Sequence, residues 1–304
     1  MTRFGKIVTA LAGAIGLLAG LPAAAQQANL YGPPDEHASG GFDGEITLSS
    51  TYAKRDRVLI SDLDRSGFGA SAVIGYRLPA GKTTARVQFQ AETNKYATTT
   101  RGEVEVQQKL GPQVTLSISA SGTKSAIVLE SLDADQVAVR GGIELRAGST
   151  TFEVYGRHRW RGYNDAVGGA GQGWQGGVNL RQRFGSWHWL ELGGSHERID
   201  DNGGWHGFSR SSVSADYSVP IAKRLRLIAG TDYRVWSYHG RWVADNPANP
   251  LRRDRLVRPE LGLSWGRTKG AYARASGGYD FYESNDPRFS GNGPRLKLSI
   301  GYRF

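Results

Sequence analysis

Cysteine is absent from the 304 residues, and there is one methionine. Without thiols there is no disulfide framework, no thiolate metal site and no cysteine nucleophile. No internal apolar run is long enough to cross a bilayer as a helix, which takes roughly 20 residues. The longest such run, Ile7 to Leu21, spans about fifteen residues. It follows Arg3 and Lys6 and precedes Pro22-Ala23-Ala24-Ala25. A basic head, a short apolar middle and a small-residue end make up a secretory signal peptide, so residues 1–25 read as an export signal cleaved before Gln26. The chain also lacks a phosphate loop, a Gly-rich nucleotide fingerprint and any His/Asp/Glu spacing typical of metal ligands. No cofactor, metal or nucleic-acid partner is expected.

What is present is glycine, at 42 residues, with 13 Tyr, 8 Trp and a net charge of +10. Mean hydropathy is -0.43, a value shared by soluble proteins and by barrels whose strands have one wet face. From Phe42 onward the hydrophobic pattern has period two, which signals strands. "TARVQFQAET" sets Ala85, Val87, Phe89 and Ala91 against Arg86, Gln88, Gln90 and Glu92; "TTFEVYGRHRW" sets Phe152, Val154 and Trp160 against Glu153, Tyr155, Arg157 and Arg159. About fourteen such strands follow one another, with twelve to sixteen allowed, over 43–53, 67–78, 83–94, 102–110, 113–122, 136–146, 150–161, 173–184, 187–198, 208–219, 223–237, 255–266, 269–281 and 294–304. Each is long enough for a tilted transmembrane strand, which needs about 9–11 residues.

Connections alternate between tight turns such as "LPAGK" and long polar loops such as "YHGRWVADNPANPLRR". The apolar face carries almost no charge and is diluted with small residues (Ala271, Ala273, Ala275, Gly277), which suits lipid better than a packed core. Aromatics near strand ends read as interfacial girdles: Tyr76, Trp187, Trp265, Tyr302 and Phe304 on the turn side, and Trp160, Trp174, Trp205 and Tyr279 on the loop side. Pro259, mid-strand and outward, is expected to remove a ladder hydrogen bond.

Taken together, the export signal, the alternating strands and the final "LKLSIGYRF" resemble the bacterial outer-membrane β-barrels. In strand number the chain is similar to the fourteen-stranded monomeric porins. The resemblance implies an all-β, antiparallel up-and-down barrel over 42–304 behind a short leader, residues 26–41, which a plug or lid role would also fit. It implies placement in the outer membrane of a Gram-negative bacterium, among membrane lipids and lipopolysaccharide, with both termini periplasmic. It also implies that the last strand, ending on Tyr302 and Phe304, is read by the barrel-assembly machinery.

On that layout the inward face carries about eighteen basic against thirteen acidic side chains. The basic set assigned to a pore lining is Arg86, Arg140, Arg157, Arg159, Arg161, Arg181, Arg183, Arg226, Arg234, Arg258, Arg274, Arg295 and Lys297. Cross-strand pairing accounts for many of them. The surplus points to a conduit favouring anions, small anionic solutes or acidic saccharides, polysaccharide export included. "RHRWR" puts Arg157, Arg159 and Arg161 on one inward line, expected beside Arg181 and Arg183 of the next strand. Two other readings stay open: a closed structural or receptor barrel acting through its loops, and a barrel enzyme acting on lipids. The nearest catalytic candidate, Ser195-His196 beside Asp200 and Asp201, fails on a strand because adjacent residues face opposite sides.

Overall fold

The computed structural model describes residues 41–53, 67–94, 97–127, 134–164, 168–267 and 269–304. The signal peptide and nearly all of the leader lie outside the described residues. The described residues form fourteen strands: β1 (Gly41–Ala53), β2 (Gly67–Ala80), β3 (Thr83–Asn94), β4 (Ala97–Lys109), β5 (Val114–Ile127), β6 (Ala134–Ala147) and β7 (Thr150–Tyr163), then β8 (Ala170–Arg183), β9 (Trp189–Asp201), β10 (Phe208–Ala222), β11 (Leu225–Trp242), β12 (Leu251–Gly266), β13 (Gly270–Ser284) and β14 (Gly291–Arg303). Each pairs antiparallel with its sequence neighbours, and β1 pairs with β14, so the sheet closes into a barrel without an edge.

One face of every strand is apolar and stands open on the convex side. Phe42, Ile46 and Leu48 of β1, Val213 of β10, and Leu296, Leu298 and Ile300 of β14 are all exposed, and Phe68 reaches 82%. Such a belt has no aqueous function and matches lipid. The closing seam runs from Glu45 opposite Arg303 to Ala53 opposite Arg295. Beyond it, the Gly44 N–H donates to the Phe304 carbonyl (3.2 Å) and the Phe304 N–H returns the bond to Gly44 (3.1 Å). The Phe304 ring covers Gly44 so closely that a Cβ there would lie 2.4 Å from it.

At the long-loop end eight strands (β4, β5, β8, β9 and β11 to β14) run three to five residues further than the alternation indicates, while β1, β2, β3 and β10 end where it places them. β4 starts at Ala97, so only residues 95–96 separate it from β3 and the long loop expected there is absent. β11 reaches Trp242 and β12 starts at Leu251. Asp200 and Asp201, beyond the expected strand end at 198, close β9. The physical reason is that above the lipid both faces are wet. The apolar alternation stops there, while backbone N–H and C=O groups still need ladder partners. Pro259 does interrupt the ladder: β12 pairs with β13 at Val257 and again from Glu260, and Arg258 and Pro259 have no partner between.

Candidate functional site: the charged interior

On the concave face the inward curvature of the sheet brings side chains together across an intervening strand. Asp43 of β1 meets Arg86 of β3 at 2.8 Å. They pass over β2 at Gly75, where a Cβ would come within 2.9 Å of Asp43 Oδ1. Tyr272 of β13 donates to Glu45 Oε1 of β1 at 2.6 Å, over Gly301 of β14, whose absent Cβ leaves room for the phenol oxygen. Glycine at these inward positions is therefore a packing requirement.

The densest feature lies toward the long-loop end of β7, β9 and β10. Glu197, 1% exposed, takes Arg159 on one oxygen and Arg210 on the other at 2.5 Å, with Arg161 at 3.9 Å. Gln175 accepts from Arg159 (3.2 Å) and Gln136 from Arg161 (3.1 Å), so the guanidinium groups are held by neutral acceptors as well. The Phe208 ring lies below Arg161 and Arg210, at 5.7 and 5.8 Å. Arg157, two residues further down the same row, has Arg101, Glu103, Glu197 and Arg140 as its charged neighbours. Three guanidinium groups on one carboxylate leave this wall positive.

Elsewhere the inward arginines are matched more evenly. Arg140 binds Glu153, which also accepts from Asn179 (2.9 Å). Arg181 binds Glu191; Arg234 binds Asp232; Arg258 binds Asp280 (2.8 Å). Glu260 bridges Arg274 (2.6 Å) and Arg295 (2.7 Å). Arg226 reaches Ser264 (3.1 Å) and stacks 4.0 Å from the Trp187 ring. Lys297 stands on the inward row of β14, between Arg295 and Ser299, and Arg183 on that of β8. Many of these pairs keep a fifth to a third of their side-chain surface open, as in Arg140 at 27% and Arg234 at 34%. They face inward and water reaches them.

Three expectations need correction. Arg181 and Arg183 do not stand beside the Arg157–Arg161 row. Antiparallel register sets Arg161 opposite Gly171 and Arg181 opposite Thr151, at the other end of the strand pair. Arg210, three strands away on β10, takes the place expected for them. Trp187 is not part of an outer girdle, because its ring covers the inward Arg226 at the short-turn mouth. Trp205 lies in the β9–β10 loop with its ring 5.5 Å from the Arg241 guanidinium, so it caps a loop charge and is no part of a strand-end girdle.

Two loops fold together at the far mouth, and the sequence reading did not single them out. Asp254, 1% exposed, accepts from Arg252, Tyr238, Tyr282 and Ser284. Arg252 lies 3.3 Å from the Phe289 ring, which draws the β13–β14 loop inward. Asp286, at the start of the short turn Pro287–Phe289, binds Arg288 (2.6 Å) and accepts from the Ala244 N–H of the β11–β12 loop (3.0 Å). Arg288 in turn reaches Asp245 at 2.7 Å. Ala244 and Asp245 sit at φ of 54° and 53°, a left-handed conformation that costs non-glycine residues energy and that this latch holds in place. The Arg288 guanidinium above all, helped by the two backbone N–H groups, holds the Asp286 carboxyl down at about 2. Aspartate followed by proline at a helical start is a legible capping signal. Nothing local tells which other loop it fastens.

Ser195 and His196 face opposite sides. Ser195 meets Ser212 at 2.7 Å inside and His196 meets Ser211 at 2.9 Å outside. Among the described residues no group of three or more His, Asp or Glu side chains is placed to hold a metal ion.

A closed fourteen-stranded antiparallel barrel with an apolar outer belt and a wet, charged interior has the fold of the outer-membrane β-barrels. Solved structures of that class agree. The chain is similar to the outer-membrane protein OmpT of Vibrio cholerae (TM-score 0.55, 9% identity, covering 89% of this chain and 99% of that one). It is also similar to the outer-membrane channel DcaP of Acinetobacter baumannii (0.54, 11%, 94% and 100%). A third is an anion-selective porin from Comamonas acidovorans (0.50, 9%, 88% and 99%). At such identities the likeness is one of fold. No family model matches the chain, and no curated protein matches its sequence.

Proposed function

We propose that this protein is an outer-membrane channel for small hydrophilic solutes with a preference for anions. Its long loops face outward, its short turns and both chain ends face the periplasm, and residues 1–25 are removed on export. The observation that carries the reading is the group at Glu197, where three guanidinium groups share one buried carboxylate and two of them, Arg161 and Arg210, keep 19% and 27% of their side-chain surface open on the inward wall. Arginine presents planar paired donors, which suit carboxylate and phosphate oxygens better than lysine does. Small organic anions and acidic saccharides, exported polysaccharide among them, are the solutes this chemistry serves. Arg86, Arg140, Arg157, Arg159, Arg161, Arg181, Arg183, Arg226, Arg234, Arg258, Arg274, Arg295 and Lys297 form the proposed lining. The barrel acts as a monomer, and the strand ending at Tyr302 and Phe304 is what the assembly machinery reads. Likeness to a channel and to an anion-selective porin supports the class of function.

Planar-bilayer recording across a salt gradient tests the reading. The expected reversal potential has the anion sign, moving toward zero in Arg157→Ser with Arg161→Ser. A cation-selective potential overturns the preference. The dense internal pairing favours a closed structural or receptor barrel as the second reading, and a conductance near zero would establish it instead.

A further inference from the structure

On the outer face, at the long-loop end, three neighbouring strands bring together a serine, a histidine and an aspartate. Ser209 Oγ of β10 lies 3.1 Å from His239 Nε2 of β11. The other ring nitrogen, His239 Nδ1, lies 3.4 Å from Asp200 Oδ1 at the end of β9. This is the connectivity of a hydrolytic triad: nucleophile on Nε2, carboxylate on Nδ1. The residues are 9 and 30 positions apart in the chain, and only the register of the three strands unites them. None of them belongs to the interior described above.

We propose that Ser209, His239 and Asp200 form a hydrolytic site for the ester-linked acyl chains of membrane lipids. The location selects the substrate class. Ser209 lies four residues above Val213, which is 59% exposed on the lipid belt, so about 13 Å of strand separates them. Between them stands only Ser211, and the apolar surface gives way to Arg198 and Ser209, which pair across β9 and β10. That level is where the acyl esters of a bilayer lipid meet its headgroups. The assignment to the outer leaflet rests on the membrane placement proposed above. The site is open from outside, since Asp200 is 58% and His239 29% exposed.

In the reaction, His239 Nε2 takes the Ser209 proton as Oγ attacks the acyl carbonyl carbon. The C–O bond to the lipid breaks, and the departing alkoxide receives that proton. Water then attacks the acyl-serine with His239 again as base, releasing a fatty acid and restoring Ser209. No co-reactant beyond water is needed. Asp200 orients the imidazole and is itself held by Arg198, whose Nε lies 3.1 Å from both carboxylate oxygens. Arg198 is thus a positioning residue and puts a positive charge beside the oxyanion that develops. Gly207 contributes by its lack of a side chain, because a Cβ there would lie 2.9 Å from Asp201 Oδ1 and 3.1 Å from His239 Nδ1, crowding the aspartate side of the ring.

The test uses the folded full barrel in detergent and in vesicles. A fluorophosphonate should label the unaltered protein, and peptide mass spectrometry should place the label on Ser209. Ser209→Ala should abolish labelling, and His239→Ala should slow it by about 100-fold or more. Ser211→Ala should label like the parent, and electrophoretic mobility before and after heating shows that each variant is folded. Fatty-acid release is then followed from phosphatidylethanolamine vesicles and, separately, from lipopolysaccharide vesicles. Release from either that falls about 1,000-fold in Ser209→Ala supports the site and identifies the lipid. Gly207→Ala should lower the same release while leaving the barrel folded. A folded parent that takes no label on Ser209, or acyl release undiminished in Ser209→Ala, overturns the proposal. The channel reading is untouched by that outcome, because conductance is measured independently.

Discussion

Replacing Glu197 with glutamine tests the central claim about the interior. The substitution keeps shape and removes one negative charge from among Arg159, Arg161 and Arg210. Removing one partner of a buried ion pair costs about 3–5 kcal/mol, mostly because the remaining charge stays desolvated. Arg159 is 7% exposed at its side chain, so the full penalty applies to it, whereas Arg210 at 27% can turn toward lumen water. The lower end, about 3 kcal/mol, is therefore expected, or about a 150-fold fall in the folded-to-unfolded ratio. Urea unfolding of the barrel in vesicles, followed by tryptophan fluorescence, measures it. Adding Arg159→Met should recover much of the loss, since an apolar side chain tolerates the site that a lone guanidinium does not. The same Glu197→Gln barrel should shift its reversal potential further toward anions. Unfolding at the parent's urea concentration, or a double variant no better than the single, would refute the claim that Glu197 holds a desolvated cluster.

The loop latch makes a pH-dependent prediction. The Asp286 carboxyl is held at about 2 when folded against 3.8 ordinarily. Its contribution is complete above pH 4 and is lost as pH falls through about 2; at neutral pH Asp286→Ala should loosen the two loops by about 1–2 kcal/mol, seen as faster amide exchange at Ala244. At the closing seam, Gly44→Leu drives a side chain into the Phe304 ring and the Val73 carbonyl, so the yield of folded barrel should drop while a Phe42→Leu control folds normally. Gly173→Ala puts a methyl against the Arg198 carbonyl, where backbone must move. A cost of about 3 kcal/mol is expected from the same urea titration, the upper end for overpacking.

Some features were legible without coordinates because lipid imposes a local rule. A strand in a bilayer must put apolar side chains on alternate positions and satisfy every backbone group laterally. That rule reaches Val87, Val154, Leu298 and Ile300 from the sequence, and by the same alternation sets Arg86, Arg157, Arg159 and Arg274 on the other face. Above the lipid the rule lapses. The extra residues of β4, β11 and β12 no longer alternate apolar with polar, and the backbone ladder extends them.

Which charge meets which is a different matter. Glu197 finds Arg159 two strands away, Asp43 finds Arg86 across Gly75, and Glu260 joins Arg274 to Arg295. Those meetings depend on register and on the curvature of a closed sheet, which no stretch of chain encodes by itself. The sequence alone therefore determined the class of protein and the sidedness of its strands. The tertiary structure decided the positive wall at Glu197, the loop latch at Asp286 and the meeting of Ser209, His239 and Asp200, because each is assembled from several strands or loops that only the pairing register and curvature of the sheet bring together.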